Sequence, residues 1–492
     1  MPTRRTALRT AMASTFLPLS GRWRVWSHPA AASMLATRML GRTGREVTTF
    51  GLAGGNKVMW SLPGDEGVAI IVKAVRAGVT YLETANNYQL SQLNFGKAFR
   101  ILNLIPGQPG YDANLRARLF LATKTSLRTA IVRGDAQPVG RAGSGMHLAV
   151  EDLLRSLTQF FGDGRGYIPE GAYIDLMQVH ALVDPAEVDA VFEGADHPDD
   201  PALPRVGALA ALRDFRDGTN FTGLNPGEKR YIRHIGITGH SNPAVHMYAM
   251  RRDTRNDFET LLVALNPNDK HHFCHEYNSV PVAVAKGMGV IGMKIFADGV
   301  FYGLEKKFAS QPGQSVPTVG QAGKVDYRDF LRYVLSIDGV STLITGIGLT
   351  DPQDDPARDQ LVANLAACQL PNLSASERRR IEAETAARHG VDTNFFQQPA
   401  RGLQAPEYVE VRRRNSGDVQ ILWGTGFAGS APIVRYELYR RDQKILSMPF
   451  RPQTTDEPFD FMDHAALPGE ESYHVRVVDQ EGRTADSRRV SL

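Results

Sequence analysis

Short apolar segments alternate with longer amphipathic segments along most of this chain. An apolar run rich in β-branched residues predicts a buried strand, and apolar residues at helical spacing predict an amphipathic helix. A predicted helix follows each strand, and eight such units in roughly 320 residues are typical of a (β/α)8 TIM barrel. The predicted strands are Val47–Leu52, Thr80–Glu83, Leu119–Thr123, Tyr173–Val179, Tyr231–Thr238, Leu261–Leu265, Gly289–Met293 and Val340–Ile344.

The alternative arrangement for alternating strands and helices is an open, doubly wound sheet. Sheets of this kind that bind dinucleotides carry a Gly-x-Gly-x-x-Gly turn after the first strand. The residues that follow Leu52 are Ala-Gly-Gly-Asn-Lys-Val, which do not match this motif. The sequence therefore favours the closed barrel.

Composition excludes several classes of protein. The chain has 56 basic and 53 acidic residues, so its formal net charge of +3 gives little attraction to nucleic acid. No stretch reaches the ~18 consecutive apolar residues of a membrane-spanning helix, so we predict no integral membrane segment. Its two cysteines, Cys274 and Cys368, provide neither a disulfide framework nor a CxxC metal-binding pair.

The N-terminus resembles a twin-arginine export signal. Arg4, Arg5 and Arg9 precede a weakly apolar run, Ala11–Leu19, and small residues at Ala30–Ala32 offer a cleavage site. Such signals carry folded proteins across a bacterial membrane, which predicts an exported, periplasmic protein. The alternative is a basic tail that stays attached to a cytoplasmic protein.

Ionisable side chains lie at the ends of three consecutive predicted strands. Glu83 ends the second strand, and Tyr88 follows shortly after it. Lys124 ends the third strand, and His180 ends the fourth. The carboxyl ends of barrel strands share one rim, where active sites lie. A desolvated lysine needs a carboxylate, and Glu83 is the nearest candidate.

These four side chains suit one kind of chemistry. The ammonium group of Lys124 is expected to lower the pKa of Tyr88, which would make the phenol a usable proton donor near neutral pH. A neutral imidazole at His180 can orient a carbonyl oxygen. The set is therefore suited to protonating a carbonyl oxygen while a hydride arrives at its carbon.

With these residues in place, the chain resembles the aldo-keto reductase family. The resemblance implies a TIM barrel, a nicotinamide cofactor that is usually NADPH, and reduction of aldehydes or ketones. It also implies that Tyr88 is the proton donor, that Lys124 tunes it and that His180 orients the substrate carbonyl. The matching segments, in the family's own order, are Met39–Gly44, Gly78–Tyr88, Ala122–Lys124, Ile174–His180, Ile232–Thr238 and Leu331–Gly346.

The chain departs from the family's pattern at several positions. The acid that pairs with the lysine is normally aspartate, whereas this chain has Glu83. A shift of ~1 Å in an active site can cost much of the rate. The family carries a serine-asparagine pair after the fifth strand, whereas this chain has Thr238 there, followed shortly by Ser241 and Asn242. Leu262 occupies the position of the family's glutamine on the sixth strand. These positions normally hold the nicotinamide amide, so Thr238, Ser241 and Asn242 are the candidates here.

The loop after the eighth strand bears on the choice between NADP and NAD. The family usually carries a short basic loop there for the adenosine 2′-phosphate. This chain has a long acidic loop in which Asp351, Asp354 and Asp355 precede Arg358. Carboxylates repel a 2′-phosphate unless Arg358 compensates, so both NADP and NAD stay open. By resemblance, the further cofactor-binding candidates are Gly299, Gly346, Arg358 and Asn364.

The run from Lys270 to His275 contains three histidines and a cysteine. It has no regular ligand spacing and lies in the loop after the sixth predicted strand. We therefore predict no metal site and interpret the run as substrate-pocket lining or a surface loop.

The character of the sequence changes after a predicted closing helix, Ala375–Arg388. About 90 residues of short strands and turns then suggest an all-β sandwich. This segment resembles a fibronectin type III module, with Trp423, Tyr436 and Tyr473 as core candidates and a glycan or a protein as a possible partner. The predicted division is an export leader or tail at 1–35, the barrel at 36–393, a linker at 394–406 and the sandwich at 407–492.

Two functional hypotheses follow. The first is an exported NAD(P)H-dependent oxidoreductase of the EC 1.1.1 type, which interconverts a small-molecule aldehyde or ketone, such as a sugar-like compound, and its alcohol. The second is a barrel with weakened catalysis that serves as a cofactor-binding or ligand-binding sensor or scaffold, its sandwich docking a partner. Tyr88, Lys124 and His180 favour the first hypothesis, which we prefer. Glu83, Leu262 and the acidic loop after the eighth strand favour the second.

Overall fold

The computed structural model describes residues 35–60, 65–141, 145–302, 326–392, 397–466, 469 and 472–492. The predicted export leader therefore lies outside the described residues, apart from Leu35. None of the helices in the described ranges is long and apolar enough to cross a membrane.

Eight parallel strands close into a barrel, which confirms the predicted fold class. They are hydrogen-bonded in chain order, and the last strand pairs with the first. Their carboxyl ends therefore share one rim. We call them barrel strands 1 to 8, and they are Phe50–Ala53, Tyr81–Glu83, Phe120–Thr125, Ile174–Val179, Ile232–Gly239, Phe258–Ala264, Gly289–Met293 and Val340–Thr345.

Helices alternate with the barrel strands along the chain. Ala113–Arg118 and Pro185–Phe192 were not predicted, and neither was the short helix Lys57–Trp60. Asp112 and Asp184 cap the first turns of the former two by accepting hydrogen bonds from main-chain N–H groups. The other α-helices are Asp65–Arg76, Ser91–Ile101, Ala149–Phe160, Ala208–Asp217, Pro243–Arg252, Ser279–Ala285, Tyr327–Leu335, Gln360–Cys368 and Ala375–His389.

The first predicted strand, Val47–Leu52, is two strands in the structure. Glu46–Thr48 pairs in antiparallel register with Thr37–Met39, and only Phe50–Ala53 belongs to the barrel. Val47 nevertheless packs with the residues of the barrel interior. The apolar pattern therefore continues across a break in the strand that periodicity alone does not show.

Two apolar layers hold the barrel together. The inner layer includes Tyr81, Phe120, Leu176 and Leu262, which fill the space enclosed by the strands. A much larger cluster lies between the strands and the helices. A filled interior leaves the rim as the place where polar side chains can meet.

The chain beyond residue 408 forms an all-β region with two antiparallel sheets. Trp423, Tyr436 and Tyr473 are buried in its core, as predicted. One sheet has the strand order Val409–Arg413, Val419–Trp423 and Phe459–Asp463. The other contains Gln443–Pro449, Ile433–Arg440, Ser472–Asp479 and Thr484–Asp486 in that order, and Val490–Ser491 also pairs with Ser472–Asp479.

The segment after barrel strand 6 packs against this all-β region. The rings of Phe273 and Phe427 lie 5.7 Å apart, edge to face, and Tyr277 packs against the core of the all-β region. The main-chain N–H of Phe273 donates at 3.2 Å to the main-chain oxygen of Gln398, which lies in the connection between the barrel and the all-β region. Cys274 and His275 are buried here. The run is therefore not a surface loop, because residues 272–275 are buried and Phe273 contacts the C-terminal region, whereas its interpretation as substrate-pocket lining stays a prediction.

Candidate active site

The four predicted acid–base residues come together at the barrel rim. Glu83 is the last residue of barrel strand 2, Lys124 lies in strand 3 and His180 follows strand 4 directly. Glu83 and Lys124 are 1% and 2% exposed, and His180 is 7% exposed. Tyr88 lies in the loop after strand 2 and is partly buried. Strand order therefore brings together residues that are far apart in the chain.

Lys124 is the central residue of this group. Its ammonium group forms an ion pair with the carboxylate of Glu83 and donates a hydrogen bond to Thr84 O at 3.0 Å. It also lies 3.5 Å from the hydroxyl oxygen of Tyr88 and 4.8 Å from the centre of the Tyr88 ring. The glutamate therefore reaches the lysine in spite of its extra methylene.

Strand register explains why the longer acid fits. Glu83 lies opposite Ala122 on the neighbouring strand, two residues before Lys124. Residues two apart on a strand point to the same side, so Glu83 and Lys124 both face the barrel interior. Their side chains must span this offset along the strand, and the longer side chain of glutamate does so.

Tyr88 is held by rings and by a close main chain. The ring of Trp60 lies 5.7 Å from it, and the ring of His180 lies 5.6 Å away at 80°, edge to face. A Cβ atom at Gly55 would lie 3.1 Å from the Tyr88 ring, closer than most real Cβ contacts. A side chain at Gly55 would therefore require the Tyr88 ring to shift slightly.

The electrostatics differ from the expectation in one respect. Burial, with a contribution from the negative charge of Asp298, raises the pKa of Tyr88 well above its usual value. The expected lowering of the Tyr88 pKa by Lys124 does not prevail, because Lys124 is paired with Glu83. Burial also lowers the pKa of Lys124 itself, and the charge of Lys294 adds to this effect. The phenol is therefore protonated at neutral pH, which is the state that a proton donor needs.

Burial also lowers the pKa of His180, and the positive charge of Lys124 adds to this effect. The imidazole is therefore neutral at pH 7, as expected for a residue that orients a carbonyl group.

Three polar or charged residues near this group were not among the predicted acid–base residues, and they are His240, Lys294 and Asp298. His240 follows barrel strand 5, and Lys294 follows strand 7. The ammonium group of Lys294 lies 2.7 Å from a carboxylate oxygen of Asp298. Both Lys294 and Asp298 adopt left-handed backbone conformations, with φ of +62° and +55°. Their positions after strand ends were the available signal, and backbone strain of this kind concentrates at functional sites.

The candidates for the nicotinamide end of the cofactor lie after barrel strand 5. The hydroxyl oxygen of Thr238 accepts a hydrogen bond from Ala181 N at 2.8 Å. Ser241 is partly buried, and Asn242 precedes the helix Pro243–Arg252. Leu262 is buried among the apolar residues of the barrel interior, so this position offers no amide group.

The candidates for the adenosine end lie after strands 7 and 8. Gly299 has a left-handed backbone with φ of +94°. A Cβ atom at Gly346 would lie 2.5 Å from Nδ2 of Asn56, so only glycine fits there without rearrangement. Asn364 is buried, and its Nδ2 donates to Thr345 Oγ1 at 3.1 Å. Arg358 is 63% exposed and pairs with Asp351.

Two asparagines at this rim fit a cofactor that carries amide and amino groups. Oδ1 of Asn242 and Oδ1 of Asn364 are buried without a hydrogen-bond partner among the described residues. Buried acceptors without partners are rare in folded proteins and point to a group that binds there. The two amide oxygens are therefore available to accept hydrogen bonds from a bound group.

The side chains that commonly bind metals are not clustered in the described part of the chain. Within the described ranges, no group of three or more His, Cys, Asp or Glu side chains is arranged to hold a metal ion. In the run from Lys270 to His275, Nε2 of His272 lies 2.9 Å from the main-chain oxygen of Val391, just after the closing helix Ala375–His389.

The fold is an α/β barrel with buried ionisable side chains gathered at one rim. The model of the aldo/keto reductase family matches residues 49–385, which is more than half of the chain. The chain therefore belongs to the aldo/keto reductase family, whose members are NAD(P)-dependent oxidoreductases.

Several solved structures align with this chain over most of their own length. An aldo-keto reductase from Bacillus halodurans, in its holo form, is 18% identical over 71% of this chain and 96% of its own, with a TM-score of 0.41. The glycerol dehydrogenase from Gluconobacter oxydans is 17% identical over 72% and 96%, with a TM-score of 0.43. An aldo/keto reductase from Klebsiella pneumoniae in complex with NADP and acetate is 16% identical over 74% and 100%, with a TM-score of 0.41. A comparison with curated protein sequences gives no match.

Proposed function

We propose that this protein reduces an aldehyde or ketone to an alcohol with a nicotinamide cofactor, and that Tyr88 is the proton donor. The observation that carries the proposal is the position of the Tyr88 hydroxyl, 3.5 Å from Lys124 Nζ, with the His180 ring edge-on to the Tyr88 ring. A phenol, an ammonium group and a neutral imidazole in contact form a proton-donating site for a carbonyl oxygen. A sugar-like carbonyl compound is one candidate substrate.

Each residue has a distinct role in this proposal. The reduced nicotinamide, when bound, supplies the hydride for the carbonyl carbon. Tyr88 donates its proton to the carbonyl oxygen, and His180 donates a hydrogen bond that orients this oxygen. Lys124 stabilises the phenolate that remains, and the ion pair with Glu83 opposes the loss of the lysine charge that burial favours. Thr238, Ser241 and Asn242 would hold the nicotinamide end of the cofactor, and Asn364 would hold the adenine.

We further propose that NADH binds more tightly than NADPH. The guanidinium of Arg358 lies 2.7 Å from Asp351 and 3.5 Å from Asp355. Lys73, which reaches the same loop, lies 2.6 Å from Asp354. Because these cations already have carboxylate partners, they offer little compensation for a 2′-phosphate, whereas a ribose 2′-hydroxyl can donate to a carboxylate.

Fluorescence titration with NADH and NADPH, followed by turnover with a panel of carbonyl compounds, tests both proposals. We expect binding of NADH at lower concentration than NADPH, and turnover that is lost in Tyr88→Phe with the cofactor Kd unchanged. Tyr408→Phe, at an exposed tyrosine of the C-terminal region, is the matched control. Binding without turnover would support a sensor or scaffold instead, and tighter binding of NADPH would contradict the cofactor preference.

We propose that residues 407–492 form a module of the fibronectin type III kind that contacts a glycan or a protein. The two-sheet arrangement with Trp423, Tyr436 and Tyr473 in the core supports this proposal. Pull-down of labelled glycans and of periplasmic proteins, with the full chain as bait, tests the partner. Absence of any saturable binding would count against it.

We also propose that residues 1–35 direct export. The basic residues ahead of a weakly apolar run support this proposal. Cell fractionation should find the wild-type protein in the periplasm and a variant with Arg4→Lys and Arg5→Lys in the cytoplasm. Equal distribution of both proteins would contradict export through a twin-arginine signal.

A further inference from the structure

We propose that Ser126 is a positioning residue that selects the tautomer of His180 and so makes the imidazole a hydrogen-bond donor to the substrate. This inference rests on the proposed function for the role of His180. The hydroxyl oxygen of Ser126 lies 3.3 Å from Nδ1 of His180, and both side chains are buried. Ser126 follows barrel strand 3 directly, one strand away from His180.

The main chain around His180 is held on both sides. His180 N donates to Thr125 O at 2.9 Å, and His180 O accepts from Nη2 of Arg128 at 2.8 Å. Arg128 is itself fully buried and also donates to Ala181 O at 3.3 Å. Ala181 has a left-handed backbone with φ of +55°, a conformation that persists only where the surroundings impose it. The main chain that carries the imidazole is therefore fixed, and the orientation of the ring depends on the contact at Nδ1.

A neutral imidazole carries one hydrogen, on either Nδ1 or Nε2. Within the described part of the chain, Nδ1 is the ring nitrogen that is hydrogen-bonded, which leaves Nε2 for the substrate. A carbonyl oxygen only accepts hydrogen bonds, so Nε2 must carry the hydrogen if His180 is to orient it. Nδ1 then carries a lone pair, and the hydroxyl of Ser126 is the donor within reach. The partner of one ring nitrogen thus decides the state of the other.

The structure offers a matched pair of variants for the test. Ser126→Ala removes the hydroxyl at His180. Ser279→Ala removes an equivalent hydroxyl, which lies 2.8 Å from Nδ1 of His275, from a buried serine–histidine pair outside the proposed roles. Ser126→Thr keeps a hydroxyl at the same position and tests whether the hydroxyl, rather than the serine side chain as packing, is what matters.

We expect Ser126→Ala to lower kcat/KM about 10-fold with an unchanged cofactor Kd, less than the ~10²–10⁴-fold of a group that transfers the proton itself, because Ser126 acts through His180. We expect Ser126→Thr to stay within about twofold of the wild type, since the hydroxyl is retained, and Ser279→Ala to behave in the same way. Equal losses in Ser126→Ala and Ser126→Thr, or no loss in either, would overturn the proposal.

A second measurement does not depend on turnover. Nitrogen NMR of protein labelled with 15N-histidine distinguishes the two neutral tautomers, and the His180 signals are assigned by their loss in His180→Gln. We expect Nε2–H at His180 in the wild type and a mixture of tautomers in Ser126→Ala. Nδ1–H in the wild type would overturn the proposal even in an active enzyme. If the wild type reduces no carbonyl compound, the proposed function fails, while the NMR result still decides the role of Ser126.

Discussion

The side-chain amide of Asn278 pairs with both main-chain polar groups of Ala428. Nδ2 donates to Ala428 O at 3.2 Å, and Oδ1 accepts from Ala428 N at 2.9 Å. Both residues are buried, and they lie 150 positions apart in the chain. One side chain of the segment after barrel strand 6 therefore fixes the main chain of the C-terminal region.

Asn278→Ala is expected to destabilise the protein. The substitution leaves a buried N–H and a buried C=O without partners, at a cost of about 2–4 kcal/mol in the free energy of unfolding. Urea denaturation followed by tryptophan fluorescence and circular dichroism measures it. Asn415→Ala, at an exposed asparagine, is the control and should change little. A loss below about 0.5 kcal/mol in Asn278→Ala would show that this pair does not hold the contact.

Substitutions of Glu83 should separate the effect of its charge from the effect of its side-chain length. Glu83→Gln leaves the buried ammonium group of Lys124 without its counter-ion, which is expected to cost about 3–5 kcal/mol of stability. Glu83→Asp keeps the charge but shortens the side chain that spans the register offset, so we expect a smaller loss of stability and a clear loss of kcat. Denaturation and steady-state kinetics are the measurements, and exposed Glu170→Gln is the control. Full activity in Glu83→Asp would contradict the register argument.

The pH dependence of reduction should reflect a protonated Tyr88. Because burial and the charge of Asp298 raise the pKa of this phenol, the donor form persists at alkaline pH. We expect kcat/KM for reduction, which reports the free enzyme, to show no loss from Tyr88 ionisation between pH 6 and about 9. Asp298→Asn removes the negative charge, so the alkaline limb should move to lower pH. An alkaline limb that stays in place in Asp298→Asn would show that this charge does not act on Tyr88.

Asp269 should make folding stability depend on pH. Burial raises its pKa to about 7, whereas an unfolded aspartate titrates near 3.9. Between these values the folded state holds a proton that the unfolded state lacks, so this contribution to stability is full below about pH 4 and is lost as pH rises through about 7. The slope is about 1.4 kcal/mol per pH unit.

Comparison with Asp269→Asn isolates this contribution, because the amide does not titrate. The difference in unfolding free energy between the wild type and Asp269→Asn should fall from pH 5 to pH 7 and level off above it. Asp135→Asn, at an exposed aspartate, provides the baseline. A difference that stays constant over this range would show that Asp269 is charged in the folded protein at pH 5.

The candidate site could be predicted because strand ends carry local signals. Glu83, Lys124 and His180 each end or follow an apolar run, and the closed barrel brings such positions to one rim. The core of the C-terminal region was equally readable, since Trp423 and Tyr436 are large apolar residues in strands of alternating pattern. The site's less visible members, such as Ser126 and Lys294, have no pattern of their own.

By itself, the sequence determined the barrel, the strand ends at which Glu83, Lys124 and His180 lie, and the presence of an all-β region after it, because strand and helix periods are local properties. Only the tertiary structure decided which groups touch. It brought the hydroxyl of Ser126 to Nδ1 of His180 and paired Arg358 with Asp351. It also packed Phe273, in the histidine-containing run, against Phe427 of the C-terminal region. It also reversed the expected pKa shift of Tyr88, since desolvation depends on how all neighbouring elements pack around a group and not on its position in the chain.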